Sequence, residues 1–166
     1  KSHPEDPLAH YGYGLILARI GNRQDAVAQL KTALERKAFD PYILKDIGRV
    51  YFLDGRYQEA LDTLSAAKSV AAYDPESLFY LGRTQMEMGR IEEAAVTLEK
   101  LISINPEYSQ AYYFLGEACS KVNRPNDAHY YLGIYYKNNL NFNNAAFHLK
   151  KALELTNDPD KRLKIE

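Results

Sequence analysis

Four histidines, one cysteine and a Glu92-Glu93 doublet are the side chains of this 166-residue chain that could carry catalysis. A zinc peptidase of the HExxH kind needs two histidines four residues apart, so that both reach one metal from one helix face. His3, His10, His129 and His148 contain no such pair. Cys119 is the single cysteine, which excludes an internal disulfide and a cysteine-based zinc site. A thiol nucleophile needs a base to take its proton, and the sequence suggests no histidine partner for Cys119. A lone thiol at a repeating core position reads as a buried packing group. Glu92-Glu93 reads as the acidic first turn of a helix, where the helix dipole favours negative charge. The glycines follow no phosphate-loop pattern. The expectation is a chain with no catalytic residues, no metal and no cofactor.

Composition narrows the partners. Lys and Arg number 21 against 22 Asp and Glu, a net charge of -1. That balance gives no electrostatic case for nucleic acid or an anionic membrane. No apolar run approaches the ~18 residues of a membrane span, and the start does not read as a signal peptide. The first residue is not Met, and the chain reads as a piece of a longer protein. Tyr is used 14 times and Trp not at all. Tyr fills apolar contacts while presenting a hydroxyl, which suits packed helices and binding grooves alike.

The glycines mark a period instead of a loop. Gly14, Gly48, Gly82 and Gly116 lie 34 residues apart, as do Ala26, Ala60, Ala94 and Ala128, and Leu30, Leu64, Leu98 and Leu132. Each period holds two helical stretches, in the second repeat Pro41 to Leu53 and Tyr57 to Val70. Asp6-Pro7, Asp40-Pro41 and Asp74-Pro75 open the first helices, with Asp as N-cap and Pro where its missing N–H costs nothing. Ser109 takes over that opening in the fourth repeat. Gly21, Gly55 and Gly89 stop the first helix in a left-handed conformation, and Asn123 holds the same place. The mid-helix glycines imply a close helix contact, small against small, with the alanines twelve residues on. Tyr13, Ile47, Leu81 and Leu115, with the leucine series, supply the large core side chains. No single pair buries both its faces, so the pairs must stack.

With Leu81-Gly82, Leu115-Gly116, Tyr51 three after Gly48, an Ala twelve after each Gly and Pro106 near a repeat end, the chain resembles the tetratricopeptide repeat (TPR) family from Pro7 to about Leu155. The resemblance implies an all-α, right-handed superhelical solenoid of antiparallel helix pairs, one domain over 1–166. Its repeats are 7–40, 41–74, 75–108 and 109–138. The family's early Trp is replaced by His10, Leu44, Leu78 and Tyr112, and its closing Pro by Ala38 and Ala72. Near the end the spacing halves: Gly133, Ala145 and Leu149 follow their series by 17. Helix 126–138 then serves both the fourth repeat and a last half-repeat to 155, giving about nine repeat helices plus a C-terminal cap at 158–166. The alternative is a fifth repeat that lost half its length while the helices stack normally. The crowded Asn138, Asn139, Asn141, Asn143 and Asn144 read as a loop.

In this family the first helices line the concave surface. Carried onto this chain, the facing positions are Tyr11, Leu15, Tyr42, Lys45, Arg49, Phe52, Phe79, Arg83, Met86, Tyr113, Glu117 and Lys121. The peptide-binding candidates are Tyr42, Lys45, Arg49, Phe79, Arg83, Tyr113 and Glu117. Arg49 and Arg83 share a register position and with Lys45 form a basic centre able to fork onto a carboxylate while aromatics hold a peptide. Alternatively Glu117 simply pairs with Arg83. The family's two-carboxylate clamp needs Asn where this chain has Leu15, Arg49, Arg83 and Glu117, so a heat-shock chaperone tail is not expected. The implied partner is a protein or peptide, with no nucleic acid and no membrane insertion. A second likeness is carried by Ala128–Lys137 (AHYYLGIYYK), Ala145–Lys150 (AAFHLK) and Ala152–Leu155 (ALEL), with a His3-Pro4 start like a domain junction. These are similar to the end of BepA-like bacterial envelope zinc metallopeptidases. That likeness implies the non-catalytic docking region of such an enzyme, in the periplasm; otherwise the cytoplasm is expected. A third reading is a homodimer sealed by Tyr130, Tyr131, Tyr135, Tyr136, Phe142 and Phe147 at the C-terminal end.

Overall fold

The computed structural model describes residues 6–37, 40–70 and 74–165. His3, Pro4, Ala38 and Ala72 lie outside the described residues. Among the described residues the chain forms ten helices and no strand. They are α1 Pro7–Arg19, α2 Arg23–Arg36, α3 Pro41–Leu53, α4 Tyr57–Val70, α5 Pro75–Glu87, α6 Ile91–Ile104, α7 Ser109–Lys121, α8 Pro125–Asn138, α9 Phe142–Leu155 and α10 Pro159–Ile165.

Local chemistry sets these boundaries. Asp6, Asp40 and Asp74 each accept a backbone N–H of the following turn, at 2.9, 3.0 and 2.7 Å. Ser109 does not cap α7; it is the first helical residue, in the place proline holds elsewhere, and Tyr108 precedes it without a side-chain cap. Gly21, Gly55 and Gly89 have φ of 84, 74 and 74°, and Asn123 follows at 57°. The next member of this series, 17 residues on, is Leu140 at φ 59°. The asparagine-rich stretch is therefore mostly helical. Asn138 closes α8, Asn143 and Asn144 lie in the first turn of α9, and Asn141 caps α9 by accepting from Asn144 N.

The helices divide into two compact units, Lys1–Met88 and Gly89–Glu166. In the first, α3 packs against α1, α2, α4 and α5. His10 meets Gln29 while Gly14 meets the Ala26 carbonyl, so α1 and α2 run antiparallel. Leu17, Val27, Leu30, Ile47, Val50, Tyr51 and Leu64 form one buried cluster. Each large aliphatic there contributes roughly 1.5–3 kcal/mol by leaving water.

The mid-helix glycines make room for leucine, a different contact from the small-against-small one expected. A Cβ on Gly48 would sit 2.5 Å from Leu64 Cγ, and one on Gly14 would sit 2.8 Å from Leu30 Cγ. The alanine twelve residues on also approaches through its backbone, with Ala26 O and Ala128 O each 3.2 Å from the Cβ position of Gly14 and Gly116. The leucine sixteen residues on is thus the glycine's partner. Tyr13 also departs from its expected core role, being 53 % exposed where Ile47 is 2 %. Ile47 faces the preceding helix pair, whereas α1 is the first described helix.

In the second unit α8 packs against both α7 and α9. A Cβ on Gly116 of α7 would lie 2.8 Å from Leu132 Cγ of α8, and one on Gly133 of α8 would lie 2.7 Å from Leu149 Cγ of α9. One helix thus supplies the leucine to one glycine contact and the glycine to the next. α6 packs on α7, and α10 on α9.

Candidate functional site

Helical spacing puts Tyr42, Lys45 and Arg49 on one face of α3, and Glu76, Phe79 and Arg83 at the same register on α5. Tyr42 is 64 % exposed, with the Lys45 ammonium 5.8 Å from its ring centroid. Arg83 sets its guanidinium 5.2 Å from the Phe52 ring centroid and 3.6 Å from Glu87. Phe79 is buried and meets Tyr80 edge-on at 5.5 Å, so its ring serves packing and is not presented to solvent. Beside this face, Leu8, Tyr11, Tyr42 and Ile43 help line an open pocket of about 190 Å³ between α1 and α3.

The basic centre carries its own carboxylates. Asp46 is buried; it accepts from the Tyr11 hydroxyl at 2.7 Å and from Arg49 Nη2 at 3.0 Å. Burial, reinforced by that bond to Asp46, pushes the Tyr11 phenol well above its ordinary range. Lys45 Nζ lies 3.0 Å from Glu76 Oε2. Burial opposes the charged form of Lys45, but the contact with Glu76 outweighs it, so its pKa sits above the usual lysine value. Arg49 Nε stops 3.9 Å from Glu76 Oε1, beyond hydrogen-bond reach, and this buried donor makes no hydrogen bond, although the Tyr80 phenol also faces the Arg49 side chain. Sequence reasoning missed both acids. Glu76 had a signal, since it lies one period after Tyr42. Asp46 had a local one, three residues before Arg49 on the same helix, although no other repeat carries an acid at its position.

Tyr113 and Glu117 belong to the second unit. The Tyr113 ring lies 5.2 Å from Tyr135, and the Glu117 charge, together with its hydrogen bond, raises the Tyr113 phenol. Cys119 is fully buried, and burial pushes its thiol up to about 11. A thiol so rarely ionised has the character of a packing group. Beside His10–Gln29, the histidines hold a second contact that sequence reasoning missed. His129 and His148 place their Nδ1 atoms 2.9 Å apart, and Tyr136 stacks on His148. Among the described residues no three His, Cys, Asp or Glu side chains gather to hold a metal. No helix among them is long and apolar enough to cross a membrane.

Helix pairs at a fixed period, with Gly14, Gly48, Gly116 and Gly133 each seated on a leucine of the following helix, define a helical-repeat protein. The chain belongs to the tetratricopeptide repeat family, whose models match residues 1–41, 17–76 and 79–128, and also 51–102. It is similar in fold to three solved structures. MamA (residue 41 to the end) from Desulfovibrio magneticus RS-1 has a TM-score of 0.72 at 19% identity, over 93% of this chain and 97% of that one. Pseudomonas aeruginosa pilF gives 0.74 at 16%, over 97% and 81%. YrrB, described as a TPR protein with an unusual peptide-binding site, gives 0.68 at 20%, over 96% and 91%. At these identities the likeness is one of fold. No curated protein sequence matches the chain significantly.

Proposed function

We propose that the chain is a non-catalytic protein-interaction scaffold that binds an extended peptide on the face formed by α3 and α5. The observation that carries this is the exposed Tyr42 ring beside Lys45, with Arg49 a turn further along α3 and an open pocket next to the ring. Such a surface offers an apolar anchor and charged donors together, the mixture that peptide recognition uses. The YrrB neighbour lends support as a protein of this fold with a peptide-binding site. Chemical-shift mapping against a peptide library tests the reading. Binding should perturb α3 and α5 amides and weaken in the Arg49→Ala plus Arg83→Ala variant; perturbation confined to α2 and α4, or unchanged affinity, overturns it.

The finer reading is a docking region of a bacterial envelope zinc metallopeptidase, acting in the periplasm. It is supported by the AHYYLGIYYK segment at Ala128–Lys137 and its continuation. An HExxH helix encoded upstream of Lys1 is the expected finding, and an unrelated upstream sequence rejects it. The second reading is self-association at the aromatic C-terminal end, which Phe142 and Phe147 favour at 63 and 56 % exposure. A monomeric mass by light scattering at high concentration rejects that one.

A further inference from the structure

We propose that Glu76 is the resident occupant of a carboxylate site formed by Lys45 and Arg49, and that an acidic ligand binds there by displacing it. The inference rests on the peptide-binding reading above and names the ligand chemistry of that face.

Glu76 is a poorly fitted occupant. One of its oxygens meets Lys45 Nζ at 3.0 Å, while the other stops 3.9 Å from Arg49 Nε. An N–H···O bond needs about 3.2 Å or less. Glu76 is tethered to the first turn of α5, and its carboxylate does not serve both donors. A carboxylate free of α5 can centre itself between them and satisfy the buried Arg49 Nε, which makes no hydrogen bond.

Asp46 cannot take that role. It is buried, and both of its oxygens are engaged, by Tyr11 and by Arg49 Nη2. The Nη2 bond anchors one end of the guanidinium to a carboxylate that Tyr11 holds from the other side. Glu76, by contrast, is 38 % exposed in its side chain and can swing into water. Its departure frees the Lys45 ammonium and Arg49 Nε of their shared carboxylate, with Asp46 committed to Arg49 Nη2 and Asp74 further from Lys45. Tyr42 stands beside Lys45, ready to cover the ligand's apolar part.

The test follows the Arg49 Nε–Hε signal by ¹⁵N NMR in the full chain. The probes are sodium acetate and three short peptides: one with an internal Glu and an amidated end, one with Gln and a free C-terminal carboxylate, one with Gln and an amidated end. Both charged peptides and acetate should move the Arg49 signal. Glu76→Gln should tighten the charged peptides about fivefold, the size of losing one exposed competing ion pair, and leave the neutral peptide unchanged. Arg49→Lys keeps the charge but lacks Nε and should abolish that gain. Which charged peptide gains more identifies a side-chain or a terminal carboxylate as the ligand. Equal or weaker affinity in Glu76→Gln, or a silent Arg49 signal, overturns the proposal. If the neutral peptide still perturbs α3 and α5 amides, the peptide-binding face survives that failure; if no peptide perturbs them, both fall.

Discussion

His129 and His148 hold their Nδ1 atoms 2.9 Å apart between α8 and α9, and His10 and Gln29 make the same cross-helix contact at 2.7 Å between α1 and α2. Both pairs are 19 residues apart. Three periods of 34 and one step of 17 carry His10 onto His129 and Gln29 onto His148. Tyr112 and Tyr131 occupy the same offset with ring centroids 6.4 Å apart. The contact is therefore a property of the repeat, filled by different chemistry at each occurrence. In the first pair the acceptor is a carboxamide. In the last it is a second imidazole, and a protonated imidazole accepts nothing.

Acid should therefore loosen α8 from α9. Burial, and after it the neighbouring His129, lowers the His148 pKa. The unfolded chain then takes up the proton first as pH falls. His148 contributes stability that is complete above the unfolded value, about 6.5, and is lost as pH falls through the folded one. His148→Gln removes the titration and copies the His10–Gln29 pair. Between about pH 7 and pH 5, the thermal midpoint of the natural protein should fall more steeply than that of the variant. Parallel curves by circular dichroism reject this role.

Gly48 and Gly12 should respond in opposite directions to alanine. A Cβ on Gly48 would meet Leu64 Cγ at 2.5 Å in a fully buried contact, so Gly48→Ala should destabilise by about 1–3 kcal/mol. Gly12 has nothing within 4 Å of its Cβ position and lies inside α1. There alanine should stabilise by about 0.5–1 kcal/mol through helix propensity. Urea unfolding of both variants measures the contrast, and equal effects contradict the packing account.

The period made the helices legible because each glycine, proline cap and leucine recurs in phase. α3, α4 and α9 begin and end where the spacing places them, and α8 starts one residue earlier, at Pro125. The glycine contact was misjudged because spacing shows which residues recur, not how far a side chain reaches. Leu30 extends over Gly14 and comes nearer to it than the Ala26 carbonyl does. The site was half legible. Register put Tyr42, Lys45, Arg49 and Arg83 on neighbouring helices, but charge pairing across helices has no period. The pairing of Glu76 with Lys45 emerged only once α3 and α5 stood side by side, and the burial of Asp46 against Tyr11 only once α1 lay on α3. Likewise, no residue type announced Leu140 as a left-handed residue; only its place after Gly21, Gly55, Gly89 and Asn123 did.

Leu140 itself carries removable strain. Its φ of 59° costs an ordinary L-residue about 1–2 kcal/mol. Its side chain is 75 % exposed and returns little by packing. Leu140→Gly should raise stability by up to about 1 kcal/mol after the extra freedom of the unfolded chain is counted. A higher urea midpoint at unchanged slope is the expected readout. A loss of stability would instead mean that the exposed leucine is held by a contact, as a docking role for the C-terminal end requires.

Tyr11 and Asp46 supply the sharpest test of how the α3 face is held. The Tyr11 hydroxyl donates to Asp46 at 2.7 Å across α1 and α3, and Arg49 Nη2 donates to the other oxygen. Tyr11→Phe leaves a buried carboxylate oxygen unpaired and should cost about 1–3 kcal/mol. Asp46→Asn should cost a similar amount, because Arg49 loses its charged partner. The double variant should cost less than the sum, since Tyr11 and Arg49 share the one buried carboxylate. A spectroscopic readout separates this from simple packing loss. Burial and the Asp46 bond raise the Tyr11 phenol, so it should stay protonated in alkali that ionises an exposed tyrosine. Comparing the natural protein with Tyr11→Phe by ultraviolet titration should reveal one missing late-titrating phenol. If an early one is missing, the Tyr11–Asp46 bond does not hold the guanidinium that the carboxylate site depends on.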